Sequence, residues 1–475
     1  MFYEDTIAAI ATSSKDGSIS IIRVSGSQSL EFVSRIFFDN KGNSIHLETC
    51  ETHTIHYGLI QNEENEVLDE VLVLIMKSPR SYTAEDVVEI QCHGGYLICH
   101  LILECLVRIG VRVAEPGEFT KRAFLNGRID LSQAEAVMDV IQSKSQLALK
   151  NSLMQLKGSV KEKIKELREM ILEDTAYLEA ALDDPEHIIL DGFTEKINNH
   201  VKFLKKEVNY LLENFQNGRI IKEGIHTAIV GKPNVGKSSF LNCILRENRA
   251  IVTDIPGTTR DTLEEDVKIK SVLLHLIDTA GIRKSNDVIE NIGIHKAKES
   301  IQKADFLICI LDASAPLSEE DFSILEESKG TEGVILLNKF DLDVMLSSEN
   351  LFEMCADRKS PEWVNEMLSN KKVFPFSARE GRGLEELEEY ILQQFFQENI
   401  SNHDEIYITN IRQKENLMDT AKSLSQLTES IENGMPEDLF SIDLLNAYES
   451  LGKIIGETVE EDIIDKIFHD FCMGK

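Results

Sequence analysis

Residues 231–238 constrain the fold of this chain more than any other stretch. They read Gly-Lys-Pro-Asn-Val-Gly-Lys-Ser and fit G-x-x-x-x-G-K-[ST], a phosphate-binding loop. The apolar run 227–230 before them predicts a buried strand, and residues 239–245 after them predict a helix. The glycines let backbone N–H groups surround phosphate oxygens at a helix N-terminus. We therefore expect Lys237 to contact the β- and γ-phosphates of a nucleotide and Ser238 to bind Mg²⁺.

Four further segments follow in the order expected of a nucleotide-binding domain. They are Gly-Thr-Thr-Arg-Asp at 257–261, Asp-Thr-Ala-Gly at 278–281, Asn-Lys-Phe-Asp at 338–341 and Ser-Ala-Arg at 377–379. The Asp341 carboxylate can accept hydrogen bonds from N1–H and the 2-amino group of guanine, a paired donor edge that adenine lacks. The set therefore predicts GTP, with Mg²⁺ held by Ser238 and Thr259. With five motifs in this order, the alternative that residues 231–238 are a glycine-rich turn matching the motif by chance is negligible.

The residue after Gly281 departs from Ras-type GTPases, which place a water-orienting glutamine there. Here it is Ile282, which cannot orient water. Another group must do so, and we expect Glu290 on the same segment to be the catalytic carboxylate. Asp287 and Glu299 remain alternatives for this carboxylate. Arg260 and Arg283 remain candidates for an internal arginine finger.

Composition limits the classes of partner and compartment. The formal net charge of −32 argues against broad, sequence-independent binding to nucleic acid, because such binding needs Lys and Arg. The simpler explanation of the same charge is that it keeps the protein soluble. The eight cysteines form no C-x-x-C pair, so a zinc site or disulfide framework is not expected. There is no apolar run of transmembrane length and no basic flank typical of a signal peptide. We expect a cytoplasmic protein without a membrane partner.

The pattern of apolar residues predicts several domains. Residues 1–120 alternate predicted strands (18–24, 70–76 and 86–92) with predicted helices (27–37 and 96–109), which indicates a small α+β domain. Arg23 and Glu89 fall within or beside these strands, where a solvated strand face is the commoner explanation. His93-Gly94-Gly95 is more simply a tight turn than a site.

Helical periodicity covers 121–217, including one continuous stretch from 148 to 181, and returns in 395–475. Between them, 218–394 alternates strands and helices, which favours a mainly parallel sheet flanked by helices, as in a Ras-like phosphate-binding-loop GTPase. The predicted strands there are 226–230, 266–270, 272–277, 306–311, 334–337 and 372–374. We expect this multidomain α/β plus α chain to carry the GTPase domain as an insertion in a helical domain.

The whole chain resembles the MnmE/TrmE family of tRNA-modification GTPases. The matching segments are Asp-Thr-Ile-Ala-Ala at 5–9, Ile-Arg-Val-Ser-Gly at 22–26, Ser-Tyr-Thr-Ala-Glu-Asp at 81–86, His-Gly-Gly at 93–95 and Pro-Gly-Glu-Phe-Thr-Lys-Arg-Ala-Phe-Leu-Asn-Gly at 116–127. The chain ends Phe-Cys-Met-Gly-Lys where the family ends Cys-Ile-Gly-Lys, so Met473 is a conservative departure that keeps Cys472.

This resemblance implies a function. Such a protein acts as a homodimer, in a heterotetramer with an FAD-dependent partner, MnmG (GidA). Together they install an aminomethyl or carboxymethylaminomethyl group at C5 of the wobble uridine of certain tRNAs. The N-terminal domain would dimerise and bind 5-formyl-tetrahydrofolate or 5,10-methylene-tetrahydrofolate as the one-carbon source. The implied folate contacts are Arg23, Glu89, Arg128 and Lys475, and Lys475 would require the tail to fold back to the N-terminal domain.

The resemblance also implies that a K⁺ ion replaces the arginine finger and that the GTPase domains dimerise. Its ligands would be Asn234 and backbone oxygens of Thr253, Ile255 and Thr258, and Glu290 matches the catalytic glutamate. Cys472 is either a catalytic nucleophile or a buried cysteine. Motifs and resemblance together predict these GTP contacts: Asn234, Val235, Gly236, Lys237, Ser238, Ser239, Thr253, Thr258, Thr259, Asp278, Gly281, Asn338, Lys339, Asp341, Ser377, Ala378 and Arg379.

A ribosome-associated GTPase of the Era or Der type is the alternative from another functional class. Those proteins carry an RNA-binding module after the GTPase or a second GTPase copy. This sequence has one phosphate-loop motif and no basic C-terminal module, which favours the first interpretation.

Overall fold

A computed structural model describes residues 5–12, 17–184, 193–247, 265–270, 272–277, 301–396, 406–459, 461–469, 471 and 474. The chain divides into two compact units. Unit 1 contains Met1–Met138, Gln155–Lys205 and Asn416–Lys475, and unit 2 contains Asp139–Met154 and Lys206–Glu415. Unit 1 thus draws on chain segments from before and after most of unit 2.

A seven-stranded sheet forms the N-terminal part of unit 1, in the order β3-β4-β5-β6-β2-β1-β7. Its strands are β1 (Ile7–Ile10), β2 (Ile19–Ser25), β3 (Phe37–Phe38), β4 (Thr54–Gln61), β5 (Val67–Met76), β6 (Val87–His93) and β7 (Arg112–Val113). Helices α1 (Ser29–Ile36) and α2 (Tyr96–Arg108) bury their apolar sides against the sheet, and Val33, Ile90 and Ile102 share one core. The small α+β domain predicted from periodicity is confirmed.

The alternate positions of these strands form a second sheet face with a different character. Ile55, Tyr57 and Leu72 are 62%, 50% and 41% exposed there. Arg23 of β2 lies directly opposite Glu89 of β6 in the antiparallel ladder. Because side chains alternate across a strand, Arg23 and Glu89 point away from the apolar core.

The remaining described helices of unit 1 are amphipathic, as α6 shows by burying Ile164, Leu167 and Ile171. The helices that lie wholly or partly in this unit are α3 (Glu118–Leu125), α4 (Leu131–Gln142), α5 (Gln146–Leu156), α6 (Ser159–Asp183), α7 (Phe193–Glu213), α14 (Ile411–Glu432), α15 (Phe440–Ile455) and α16 (Glu461–His469). The helical periodicity predicted from 131 to 181 is confirmed, but the structure divides this stretch into α4, α5 and α6. Gly158 adopts φ +100°, a left-handed conformation that interrupts the helix and separates α5 from α6.

A buried charge network fastens the start of the chain to α3. The Arg122 side chain is fully buried and donates to the Asp5 carboxylate at 2.8 Å and to the Glu118 carboxylate at 3.0 Å. It also contacts Glu85 at 3.3 Å. A buried guanidinium is stable only when carboxylates compensate its charge, so this network fixes β1 and the segment around residue 85 on α3.

Unit 2 is built on a six-stranded sheet in the order β13-β12-β11-β8-β10-β9. Its strands are β8 (Ile225–Val230), β9 (Glu265–Ile269), β10 (Val272–Ile277), β11 (Phe306–Asp312), β12 (Gly333–Asn338) and β13 (Lys371–Pro375). Every neighbouring pair is parallel except β9 with β10. Its helices include α8 (Phe215–Glu223), α9 (Lys237–Glu247), α10 (Glu319–Glu327), α11 (Leu351–Ala356), α12 (Pro361–Leu368) and α13 (Leu384–Phe396).

The predicted parallel-rich sheet is confirmed strand by strand in unit 2. These strands were predictable from the sequence because both of their faces are buried: on β11, Ile308 and Ile310 lie in one core, and Leu307 and Leu311 lie in the core on the other face. No helix in the described ranges is both long enough and apolar enough to cross a bilayer.

Candidate nucleotide site and N-terminal cluster

The loop between β8 and α9 has the backbone shape of a phosphate cradle. Gly231 and Gly236 adopt φ +155° and +104°, and Asn234 adopts φ +66°. The Lys237 ammonium donates to the Gly231 carbonyl at 2.5 Å and to the Lys232 carbonyl at 2.8 Å. The loop therefore folds back around its own lysine, and α9 begins at that residue.

Burial acts on the charge of this lysine. Removal from water lowers the pKa of Lys237, and the neighbouring Glu320 opposes that shift. A partly desolvated ammonium at a helix N-terminus is well prepared to accept a polyanion, because the phosphate supplies the compensating charge. Ser238 lies in the first turn of the same helix, and Ser239 is exposed beside it.

Asn338 joins the phosphate loop to the predicted base-binding segments. Its side chain is buried, its Nδ2 donates to the Val235 carbonyl at 2.7 Å, and its Oδ1 accepts from the Ala378 N–H at 3.0 Å. A Cβ on Gly236 would lie 2.2 Å from Asn338 Nδ2. Only glycine fits at this position while that hydrogen bond is kept.

The base-binding segments lie at the ends of β12 and β13. The Ser377 hydroxyl donates to Asp341 Oδ1 at 2.7 Å, which fixes one carboxylate oxygen. Lys339 adopts φ +66° and its ammonium contacts Asp312 Oδ2 at 2.6 Å. Arg379 is exposed next to Ala378. The structure thus brings the phosphate loop and both later motifs to the carboxyl edge of one parallel sheet, where ligands of such sheets bind.

Two carboxylates that the sequence motifs did not indicate support this site. Partial burial acts to raise the pKa of Asp312, but hydrogen bonds from Lys339 and Ser314 outweigh it and lower that pKa. Asp321 is buried in the first turn of α10, where its Oδ2 accepts from the Lys232 ammonium at 2.6 Å. The only sequence signal was Ser318 three residues before Asp321, a capping-box pattern.

A second group of residues lies on the face of the unit 1 sheet to which Arg23 and Glu89 point. We call Arg23, Tyr82, Glu89 and Arg128 the N-terminal cluster. Arg23 donates through Nε at 2.9 Å and Nη2 at 2.8 Å to the same oxygen, Oε1, of Glu89, so Oε2 lies outside this ion pair. The Arg23 guanidinium lies 5.1 Å from the centre of the Tyr82 ring. Arg128 lies at the same distance from that ring and donates to the Tyr82 carbonyl at 2.7 Å. Tyr82 therefore contacts two residues predicted to bind folate, Arg23 and Arg128, and Arg23 links it to a third, Glu89.

The end of the chain reaches this cluster. The Gly474 carbonyl accepts from Arg23 Nη1 at 3.4 Å, and a Cβ on Gly474 would lie 2.6 Å from the Ile10 carbonyl oxygen. Gly117 contacts the tail closely too, since its Cβ would lie 2.3 Å from the Phe468 carbonyl oxygen. The fold-back of the tail that a role for Lys475 requires is present up to Gly474, and Lys475 itself lies outside the described residues.

Other predicted residues also lie outside the described ranges. They are Thr253, Ile255, Thr258, Thr259, Asp278, Gly281, Glu290 and Cys472, with the alternatives Arg260, Arg283, Asp287 and Glu299. Of the predicted K⁺ ligands, Asn234 is described, and it is exposed. His93-Gly94-Gly95 forms the turn before α2, and the His93 ring contacts the Asp69 carboxylate at 2.7 Å.

Comparisons with known proteins cover the whole chain. Residues 6–128 match the family model described as the N-terminus of GTP-binding protein TrmE, and 131–472 match that of the MnmE helical domain. The tRNA modification GTPase MnmE of Lachnoclostridium phytofermentans is 52% identical over 99% of both chains. That of Clostridioides difficile is 46% identical over 100% of both. A solved structure of Aquifex aeolicus Era with GDP and AlF4⁻ aligns with 43% of this chain and 67% of its own at 27% identity. Its TM-score of 0.26 is too low to support a conclusion.

The contact between Gly236 and Asn338 predicts the effect of one added methyl group. In Gly236→Ala, the Cβ displaces the Asn338 amide and breaks buried hydrogen bonds, so nucleotide affinity should fall by about 100-fold. Titration of a fluorescent GDP analogue measures the change. The matched control is Gly330→Ala, which also has positive φ (+75°) but has nothing within 4 Å of its Cβ. Its affinity should stay at the wild-type value, and a folded Gly236→Ala protein with wild-type affinity would contradict this account.

Proposed function

The chain belongs to the MnmE family of tRNA modification GTPases, and we propose that it hydrolyses GTP during modification of the wobble uridine of tRNA. The observation that carries the GTPase assignment is the Asn338 side chain, which links Val235 of the phosphate loop to Ala378 of the base-binding segment. In this proposal, the phosphate loop binds the phosphates and the Asp341 carboxylate, which accepts a hydrogen bond from Ser377, selects guanine. The Era or Der alternative is not favoured, because the family models cover segments outside the GTPase as well.

In this proposal, residues of unit 2 hold GTP and orient the attacking water. Lys237 neutralises charge on the β- and γ-phosphates, and Asp341, aligned by Ser377, accepts the guanine N1–H and 2-amino protons. Ser238 and Thr259 would hold Mg²⁺, which neutralises charge on the phosphate oxygens when bound. Glu290 would orient the water, since Ile282 has no polar group to do so.

Potassium would take the place of an arginine finger. Asn234 and the backbone oxygens of Thr253, Ile255 and Thr258 are the proposed ligands. The support is the position of Asn234, which is exposed in the phosphate loop with a left-handed backbone. A monovalent cation held there would stabilise charge that develops between the β- and γ-phosphates. GTPase-domain dimerisation would complete this arrangement.

The N-terminal cluster fits a reduced folate, either 5-formyl- or 5,10-methylene-tetrahydrofolate. A pterin presents a flat ring with an amino-pyrimidine donor edge, and its tail ends in glutamate carboxylates. Tyr82 offers an aromatic face, Glu89 offers Oε2, which takes no part in the ion pair with Arg23, and Arg128 is an exposed cation for the tail. Lys475 would add a second cation at the end of the chain. The bound folate would supply the one-carbon unit.

Assembly and compartment are also part of the proposal. The exposed apolar side chains of the N-terminal sheet, such as Ile55 and Tyr57, support a homodimer through this domain. An FAD-dependent partner of the MnmG (GidA) type would join it in a heterotetramer with the tRNA substrate in the cytoplasm. The proposed domains are an N-terminal domain (1–120), a helical domain in two parts (121–217 and 395–475) and an inserted GTPase domain (218–394). Cys472 stays a candidate nucleophile of the modification chemistry.

Base selection is tested at Asp341. In Asp341→Asn, the amide can donate to the 2-oxo group of xanthine and accept from N1–H, but it cannot accept from both guanine donors. GDP affinity should fall by about 100-fold while XDP affinity rises, because guanine loses one hydrogen bond and the negative charge of its acceptor. Fluorescent GDP and XDP analogues measure both. The control Asp343→Asn, an exposed carboxylate two residues later, should keep wild-type preference, and unchanged preference in Asp341→Asn would remove the guanine assignment.

The role of potassium is tested by ion substitution. Wild-type GTP hydrolysis in KCl should exceed that in NaCl by about tenfold, and Asn234→Ala should abolish this difference. Phosphate release at saturating GTP is the measurement. Asn242→Ala, an exposed amide on α9, serves as the control and should retain the salt preference. Equal wild-type rates in the two salts would rule out the ion site.

Folate binding is tested with two arginine–glutamate pairs of the same unit. Glu89→Gln should weaken binding of 5-formyl-tetrahydrofolate to the full-length protein by about tenfold or more, since a charged acceptor is lost. Glu31→Gln breaks the exposed Arg35–Glu31 pair and should leave binding unchanged. Isothermal titration calorimetry measures both. If the wild type does not bind 5-formyl-tetrahydrofolate, the folate assignment is wrong.

A further inference from the structure

His275 occupies a position in unit 2 that the nucleotide motifs do not explain. It lies on β10, opposite His226 of β8 on one side and Asp266 of β9 on the other. Its Nδ1 contacts Asp266 Oδ1, and its Nε2 contacts the backbone carbonyl of Glu223, the last residue of α8. One imidazole therefore joins the end of a helix to two strands of the sheet.

Both partners of the His275 ring are acceptors only. An ionised carboxylate and a backbone carbonyl have no proton to donate, so both ring nitrogens must carry hydrogen for both contacts to exist. The geometry thus requires the imidazolium form. Burial acts to lower the pKa of His275, but the Asp266 carboxylate outweighs it, and the pKa is raised above its usual value.

The turn after α8 is shaped around this ring. Gly224 adopts φ +93°, and a Cβ there would lie 3.0 Å from His275 Cδ2 and 2.8 Å from the Leu273 carbonyl oxygen. A side chain at this turn would push against the imidazole. The missing side chain lets the ring reach the Glu223 carbonyl directly.

Charged groups from every neighbouring element surround the ring. The Lys144 ammonium donates to Asp266 Oδ2 at 2.7 Å, so Asp266 serves two cations. The His226 ring lies 5.4 Å from that of His275, measured between centroids, and its Nδ1 contacts Asp305, which also pairs with Arg219 of α8 at 2.6 Å. Burial acts to raise the pKa of Asp266, but hydrogen bonds from His275 and Lys144 lower it to about 2. Asp266 therefore stays ionised at neutral pH.

We propose that His275 is a proton-dependent latch that holds α8 against β10, so that the nucleotide state of the site is transmitted to α8. Strand β10 ends at Ile277, immediately before the predicted GTP contact Asp278, and α8 leads through Gly224 into β8 and the phosphate loop. His275 is a positioning residue, since it reaches the nucleotide only through these elements. The transmission rests on the GTPase function proposed above.

The sign of the pH dependence follows from the raised pKa. The latch is complete below the ordinary histidine pKa of about 6.5, where the ring is protonated in any state of the chain. It is lost as the pH rises through the raised pKa of the folded protein, because the neutral ring can donate to only one of its two acceptors. Alkaline conditions should therefore release α8 selectively.

Hydrogen exchange of the α8 amides, read by mass spectrometry on the full-length protein, tests the latch. Without nucleotide, and after correction for intrinsic rates, wild-type protection should fall by about tenfold across the raised pKa, the effect of losing one charged hydrogen bond. His275→Gln should have the lower protection at every pH. Asp266→Asn keeps an acceptor but removes the charge, so its transition should move to lower pH. His93→Gln, which removes the histidine–carboxylate pair with Asp69 in unit 1, should follow the wild type.

A purely structural role would not move the midpoint in Asp266→Asn, so an unmoved midpoint would overturn the latch. Wild-type protection in His275→Gln would also overturn it, and if that variant fails to fold, Asp266→Asn and the wild-type pH series still decide. Below the midpoint, a GTP analogue should change α8 protection relative to GDP in the wild type but not in folded His275→Gln. A change that persists there would refute transmission through His275. Binding of fluorescent GDP is measured separately, so a wild type that binds no nucleotide refutes the GTPase proposal and leaves the latch test intact.

Discussion

The buried amide of Asn338 is the constraint on which the nucleotide site depends. An asparagine that is 2% exposed must place its donor and acceptor on protein partners, because an unsatisfied buried polar group costs about 1–3 kcal/mol. Here the two partners belong to loops that are far apart in sequence, after β8 and after β13. Together the two contacts fix the distance between the loop that carries Val235 and the predicted base-binding segment that carries Ala378. Gly236 is the steric half of the same constraint, since a Cβ would occupy the space of the amide.

Sequence patterns predicted the strands of unit 2 well and those of unit 1 less completely. Strands buried on both faces show as continuous apolar runs, such as residues 306–311 and 334–337. Strand β4 was not predicted, because its exposed Ile55 and Tyr57 obscure the alternation of apolar and polar positions that marks a half-buried strand. Helix α8 was also missed, since Gly218 within it reads as a breaker. That glycine is needed for packing, because its Cβ would lie 2.2 Å from the Ile408 carbonyl oxygen.

The candidate sites were predictable where a motif fixes the chemistry locally and unpredictable where the fold creates it. Lys237, Asn338 and Asp341 follow from spacing, and all come to one edge of the sheet. Asp312 and Asp321 do not, because their importance lies in pairing with Lys339 and Lys232 across sequence separations of 27 and 89 residues. Tyr82 is similar. Its ring contacts two arginines only because α3 and the adjoining segment bring Arg128 beside the strand that carries Arg23.

The two ends of unit 1 explain why an inserted unit is compatible with the N-terminal cluster. Arg23 contacts Gly474 although 451 residues separate them in sequence. The contact exists because α15 packs on α6 and α16 on α3, so the tail returns to the region where the chain began. Gly117 and Gly474 permit this return by their lack of a side chain, since each makes a backbone approach closer than a Cβ allows. The contact between Arg23 and Gly474 therefore forms only once the helices that return the tail have packed, so the arrangement around Arg23 depends on the integrity of the helices that close unit 1.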